Sequence, residues 1–187
     1  KVLNKVLKPI GLKICMLLIL TIILTTVGCG FKLRDDYGLP EEIGQLQLLA
    51  AQKNTPLHRI LEKQLQRFKI EVLDNTASVS QIGKPIDAII YLTSDELERR
   101  LLSLFSTGQI AEYELVYTIK YQLQFPGQDP QKIEFDVTRE YQDDPDAVLA
   151  KSRELDLIQK EMRQEAADRI IRQIASSYSN WQHTTGG

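Results

Sequence analysis

"AEYELVYTIKYQLQF", residues 111–125, carries an apolar residue at every odd position: Ala, Tyr, Leu, Tyr, Ile, Tyr, Leu and Phe. The even positions are mostly Glu, Thr, Lys and Gln. Side chains alternate between the faces of a strand, so this period of two predicts a strand with one buried face. At roughly 3.3 Å per residue it spans about 50 Å, far beyond the usual strand. A strand of that length needs partners of similar length.

Both partners are legible beside it. "STGQ" at 106–109 is a turn signal, and residues 87–105 begin "DAIIYLTSDELERRLLSLF". The second half of that stretch has helical propensity. The need for a long hairpin partner favours one long strand instead, kinked or bulged near Ser94. On the other side "PGQDP" turns the chain, and "QKIEFDVTREY" alternates again, with Ile133, Phe135, Val137 and Tyr141 on one side.

Two helices flank this meander. "KNTPLHRILEKQLQRF" places Leu57, Ile60, Leu61, Leu65 and Phe68 at helical spacing, with Asn54 or Thr55 as cap and Pro56 in the first turn. "DDPD" at 143–146 reads as the start of a long second helix, with Asp144 as cap and Pro145 at its first position. Leu155, Ile158, Met162, Ala166, Ile170 and Ile174 form its stripe, to about Ser177. The polar residues 178–187 are expected to be a flexible tail. "QLQLLA" (45–50) and "IEVL" (70–73) read as short strands, and 74–85 as a polar, turn-rich stretch. The order β, α, β, three long β, α gives an α+β fold, with one helical layer on one face of a mainly antiparallel sheet. Residues 45–177 form its single domain.

The beginning of the chain is of another kind. Lys1, Lys5, Lys8 and Lys13 precede the apolar run "ICMLLILTIILTTV", then Gly28 and Cys29. A run of about 14 is short for a bilayer span of roughly 20 residues and suits a secretory signal. The sequence starts with Lys, so the signal is expected to begin upstream. A small residue followed by cysteine is the pattern of a bacterial lipoprotein signal over residues 1–28, with Thr26 where Leu is usual. Cys29 is therefore the expected lipid-attachment residue, carrying diacylglyceryl and N-linked acyl chains such as palmitate. One chain holds a protein marginally, whereas three hold it durably. Gly30 after the cysteine, rather than Asp, sorts it to the outer membrane. Residues 29–44 then read as a lipid-anchored linker.

Composition excludes several roles. Losing the four lysines of the signal takes the formal charge from −2 to −6. An acidic domain without a basic run is a poor nucleic-acid binder. Cys15 leaves with the signal and Cys29 is lipidated, so no disulfide or cysteine metal site forms. The histidines are His58 on the first helix, expected at the surface or its boundary, and His183 in the tail. There is no HExxH, no Ser-His-Asp arrangement and no glycine-rich phosphate loop. Neither an enzyme nor a cofactor is expected. Tyr113, Tyr117, Tyr121 and Phe125 form an aromatic stripe, read as core under the helices. Arg99, Arg100, Arg139, Lys151 and Arg153 are cations able to meet a phosphate.

"CGFKLR" at 29–34, "TGQIAEYELVYTIKY" at 107–121 and "REYQDDPDAVLAKSRELDLIQKEMRQEAADRIIRQI" at 139–174 resemble the LptE family of lipopolysaccharide-assembly lipoproteins. The resemblance runs from Cys29 to about Ser177. It implies an outer-membrane lipoprotein of a Gram-negative cell envelope, seated as a plug in the lumen of the LptD β-barrel. The pair forms the translocon for lipopolysaccharide transport to the outer leaflet. It also implies a two-layer α/β sandwich, two helices on a four-stranded sheet. Family members bind lipopolysaccharide through basic residues near the hairpin tip and the start of the last helix. Lys151 in "LAK" matches the second of these positions, but Ser106 stands at the first. Arg139, Arg100 or Arg99 is expected to substitute. The alternative is an outer-membrane lipoprotein that scaffolds a different envelope complex.

Overall fold

The computed structural model describes residues 39–40, 42–73 and 85–185. The signal, Cys29 and most of the 74–85 stretch lie outside the described residues. The elements are β1 (Gln45–Ala50), α1 (Pro56–Arg67), β2 (Glu71–Leu73), β3 (Ala88–Leu104), β4 (Ile110–Gln124), β5 (Gln131–Gln142) and α2 (Val148–Thr185).

The sheet has five strands in the order β2-β1-β3-β4-β5, where four were expected from the resemblance. The additional strand is β2, three residues long, which pairs only with β1. It is also mixed: β1 runs parallel to both β2 and β3, while β3, β4 and β5 form the antiparallel meander. Two parallel strands need a crossover between them, and α1 supplies it for β1 and β2.

The β4 pattern works as its alternation predicts, but only over part of its length. Leu115, Tyr117, Ile119, Tyr121, Leu123 and Phe125 are all buried. Tyr113 is only half-buried, because the hairpin extends there beyond most of its helical cover. Beneath the helices, Leu46, Leu48, Ile90, Leu57, Leu61, Leu65, Met162 and Ile170 complete the core. The core also takes in Leu39 and Ile43, ahead of the boundary expected at Gln45.

Helix α1 is capped by Thr55, whose hydroxyl accepts from His58 N at 3.2 Å. His58 is buried, contrary to its expected boundary position, because α1 lies in the angle between sheet and α2. Gln64 on α1 donates to Asp168 on α2 at 2.7 Å, a polar clasp between the two helices.

Helix α2 departs from expectation at both ends. Asp144 does not cap it: the Asp144 side chain accepts from Asp146 N in a turn before the helix. The first intrahelical carbonyl is that of Ala147, bonded to Lys151 N at 2.9 Å. At the far end the expected flexible tail is helix to Thr185. Tyr178 is buried, and Trp181 stacks on Phe125 with centroids 5.7 Å apart, which fixes the last turns to the sheet.

Candidate functional site: a cationic cleft at the hairpin end

The register of β3 decides which basic residues share a face. Ala88, Ile90 and Leu92 point to the core from even positions. Between Leu92 and Ser94 the β3–β4 register slips by one residue, a bulge where one was expected near Ser94. A one-residue slip moves every later side chain to the other face. From there the odd positions face the helices: Asp95 reaches Tyr117, Leu97 pairs with Tyr117, Arg99 with Leu115 and Leu101 with Tyr113. Arg99 and Arg100 therefore lie on opposite faces of the sheet.

On the helix side, a cleft of about 590 Å³ opens where the hairpin passes the start of α2. Arg99, Tyr113, Tyr141, Lys151, Leu155 and Val148 contribute to its walls, with Asp143 the carboxylate among them. Its floor is the Tyr113–Tyr141 ring pair, stacked at 6.5 Å and 24°. The Tyr141 hydroxyl donates to the Lys151 carbonyl at 2.9 Å, which ties β5 to the first turn of α2. The Lys151 ammonium sits 5.5 Å from the Tyr141 ring centre, a cation–π approach that holds the side chain over the floor. It also donates to Glu154 at 2.9 Å, and this bond is the main reason its pKa is raised above the ordinary lysine value. Burial raises the Tyr141 phenol and Asp143 adds to this, while Lys151 and Arg99 oppose them. The first turn of α2 adds its own partial positive charge to the same wall.

The other candidate cations are elsewhere. Arg100, on the open face, forms an ion pair with Glu98 at 2.9 Å and lies 3.9 Å from Glu114. Arg139 faces the helices but is paired with Glu165 of α2. Arg153 is exposed on α2 and outside the cleft wall. Ser106 belongs to the hairpin turn, where Gly108 N donates to Phe105 O at 2.9 Å. The structure thus brings Lys151 together with Arg99, not with Arg100 or Arg139. Leu97 and Leu101 carried the signal for this: both are apolar and odd-numbered, after an even-numbered run to Leu92.

The cleft borders an apolar tip. Leu101, Leu102, Leu104 and Phe105 are each more than 40% exposed, as is Val148 across from them. Scattered exposed apolar residues are ordinary, but a group of five around one end of a molecule marks a contact surface. Among the described residues no helix is long and apolar enough to cross a membrane, and no group of three His, Cys, Asp or Glu side chains could hold a metal.

Comparison with known proteins bears on the fold and the family. Residues 43–174 match the family model for LptE, lipopolysaccharide-assembly. The chain is 33% identical over 152 residues to the LPS-assembly lipoprotein LptE of Pectobacterium atrosepticum, covering 81% of this chain and 79% of that one. Its counterpart in Yersinia enterocolitica is 32% identical over 162 residues, covering 87% and 75%. Among solved structures, rare lipoprotein B from Shewanella oneidensis superposes with a TM-score of 0.64 at 37% identity, covering 75% of this chain and all of that one. Lipoprotein B from Nitrosomonas europaea gives 0.63 at 25% identity, covering 84% and 97%.

Proposed function

The chain belongs to the LptE family of lipopolysaccharide-assembly lipoproteins, and we propose that it is the lipid-anchored plug of an outer-membrane LptD barrel. Its membership gives it a role in lipopolysaccharide assembly in the cell envelope, and that role is not catalytic. The finer reading has three parts. Cys29 carries the lipid that holds the chain at the outer membrane. The sandwich stands in the barrel lumen and supports barrel assembly. Lys151 receives a phosphate of lipopolysaccharide on its way to the outer leaflet.

The observation that carries the reading is the cleft itself: a lysine held over an aromatic floor, beside exposed leucines. A cation next to apolar surface suits an anionic amphiphile, since the phosphate gains charge-assisted hydrogen bonds while acyl carbons leave water. The dimensions suit a plug. Helix α2 is about 57 Å long at 1.5 Å per residue, and β3 is similar at 3.3 Å per residue, so both exceed the roughly 40–45 Å of a bilayer with its headgroups.

The test is a native pull-down from detergent-solubilised outer membranes, with an affinity tag after Gly187. The expected result is a stoichiometric complex with one large β-barrel, lost from the membrane fraction when Cys29→Ser removes the lipid and the barrel is depleted. Recovery of the chain alone, or with peptidoglycan or inner-membrane partners, would sink the plug and favour a scaffold of another envelope complex.

A further inference from the structure

We propose that the end of α1, where Lys63, Arg67 and Lys69 surround the exposed ring of Phe68, rests on an anionic phospholipid surface as a second membrane contact beside the lipid of Cys29. This goes beyond the reading of Cys29 above and rests on it. The first support is charge. The mature chain is net acidic, yet Thr55–Lys69 sets four basic residues against the one acid, Glu62. Lys63, Arg67 and Lys69 are exposed, and among the described residues none of the three makes an ion pair or a side-chain hydrogen bond. Nearby carboxylates are engaged with other groups: Glu62 accepts from Gln66, Glu71 from Gln45 at 2.7 Å, and Asp87 from the amides of Gly44 and Gln45. Glu42 is exposed and opposes the three cations with a single charge.

The local backbone is the second support. The negative end of the helix dipole accounts for one cation in the last turn, Arg67. It does not account for Lys69 beyond the helix, or for a phenyl ring left 42% exposed between them. Lys69 holds φ 61°, a left-handed position that glycine occupies without strain, and strain of that kind collects where a side chain serves a function. The third support is place. Glu71 N donates to Gly44 O at 2.9 Å, so this turn lies beside the segment Leu39–Ile43 by which the chain enters the domain. Ten residue steps separate Leu39 from Cys29, a reach of at most about 35 Å. It is also the end opposite the hairpin turn, since β1 and β3 both start there, Leu46 paired with Ala88. A plug whose hairpin points outward leaves this end at the inner leaflet, where the acyl chains of Cys29 insert. The anchor sets the height of the molecule but not its tilt. A second contact fixes the tilt, with Phe68 entering the headgroup layer and each cation worth about fivefold against an anionic surface.

The experiment uses the mature lipidated chain in vesicles of phosphatidylcholine alone, or of an equal mixture with phosphatidylglycerol, with brominated acyl chains as a contact quencher. Phe68→Trp places an indole at the contact, and the parent chain, with Trp181 alone, supplies the background. Quenching is expected in the anionic vesicles and little in the neutral ones. It is expected to fade as salt rises from about 0.1 to 1 M, where the screening length falls from about 10 to 3 Å. Lys63→Gln, Arg67→Gln and Lys69→Gln together are expected to lower the docked-to-free ratio about a hundredfold. The same charge removed away from this end, by Arg100→Gln, Lys120→Gln and Arg153→Gln, is expected to change the ratio little. Equal quenching in both kinds of vesicle, or equal losses with both triple variants, would overturn a contact read by charge. Absence of quenching in either vesicle, with Cys29 acylated by mass, overturns the lipid surface and leaves the anchor standing. An unacylated Cys29 in chain extracted from membranes overturns the anchor reading and the proposal with it. A blue shift that appears only in the complex with the barrel, and is not quenched by the lipid, would assign this face to a protein partner and overturn the lipid surface. Thermal midpoints of all variants check that each is folded.

Discussion

The Tyr117 hydroxyl donates to Asp95 Oδ2 at 2.7 Å, joining β4 to β3 two residues beyond the bulge. Tyr121, four residues along on the same buried face, has a hydroxyl with no hydrogen-bond partner among the described residues. The two tyrosines therefore respond differently to the same substitution. Tyr117→Phe loses a hydrogen bond to a carboxylate and leaves that carboxylate part-buried, so it is expected to cost about 1.5–3 kcal/mol. Tyr121→Phe removes a buried hydroxyl that makes no bond and is expected to be neutral or stabilising. Urea unfolding of the two variants tests the contrast, and equal losses would contradict it.

The same phenols set an alkaline limit. Burial pushes both above the ordinary value of 10.0, and at Tyr117 the bond to Asp95 adds to it. Above about pH 10 the unfolded chain releases these protons while the fold retains them. Stability therefore falls as pH rises through that range and is unaffected by these groups below it. The urea midpoint is expected to drop between pH 9 and 11, and to drop less in the Tyr117→Phe, Tyr121→Phe double variant.

Much of this fold was legible because β4 obeys a strict period of two, and its length forces the pairing of β3 and β5. The break near Ser94 was expected as a kink or a bulge, and it is a bulge: the apolar positions change from even (Ala88, Ile90, Leu92) to odd (Leu97, Leu101) across it. What the bulge does to Arg99 and Arg100 was harder to see. Adjacent arginines look interchangeable until register assigns each a face, and both Arg100 and Arg139 are taken up by glutamates that only tertiary structure brings near. The start of α2 misled in another way. Asp-Pro is a favoured helix opening, but Asp144 satisfies a local turn instead, which is the commoner competing use of aspartate. Lys151 stood among five candidate cations by charge, and only the motif that contains it singled it out.

Helix α1 ends in a motif that its sequence does not advertise. Lys69 adopts φ 61°, Ile70 N donates to Leu65 O at 3.4 Å and Lys69 N to Gln66 O at 3.0 Å. This is the double-bonded Schellman termination, with buried Ile70 beside Leu65 supplying its apolar contact. The left-handed position normally takes glycine, because a Cβ there costs roughly 1–2 kcal/mol. Glycine returns about 0.5–1 kcal/mol of that as unfolded-chain entropy. Lys69→Gly is thus expected to stabilise the fold, by up to about 1 kcal/mol, read as a higher urea midpoint with unchanged slope. A loss of stability would show that the lysine side chain contributes more than its backbone strain costs.

The C-terminal turns of α2 make the sharpest test, because a polar segment there reads as a tail and packs as structure. Trp181 stacks on Phe125 at 18°, Tyr178 closes the trio at 5.5 Å from Trp181 and 5.9 Å from Phe125, and Phe125 is buried beneath them. Truncation after Ser177 would strip both rings from Phe125, just past the end of β4, and is expected to cost about 3–5 kcal/mol, as for a buried aromatic. Trp181→Ala, at a half-buried position, is expected to cost about 2 kcal/mol, below that range. Trp181 is the single tryptophan of the chain, so its fluorescence reports on this contact alone. Emission from the folded protein is expected to be blue-shifted and to move red at the same urea concentration as the loss of helical signal. Native emission typical of indole in water, or a red shift that precedes global unfolding, would mean that the last turns fray and that Phe125 is covered by something else.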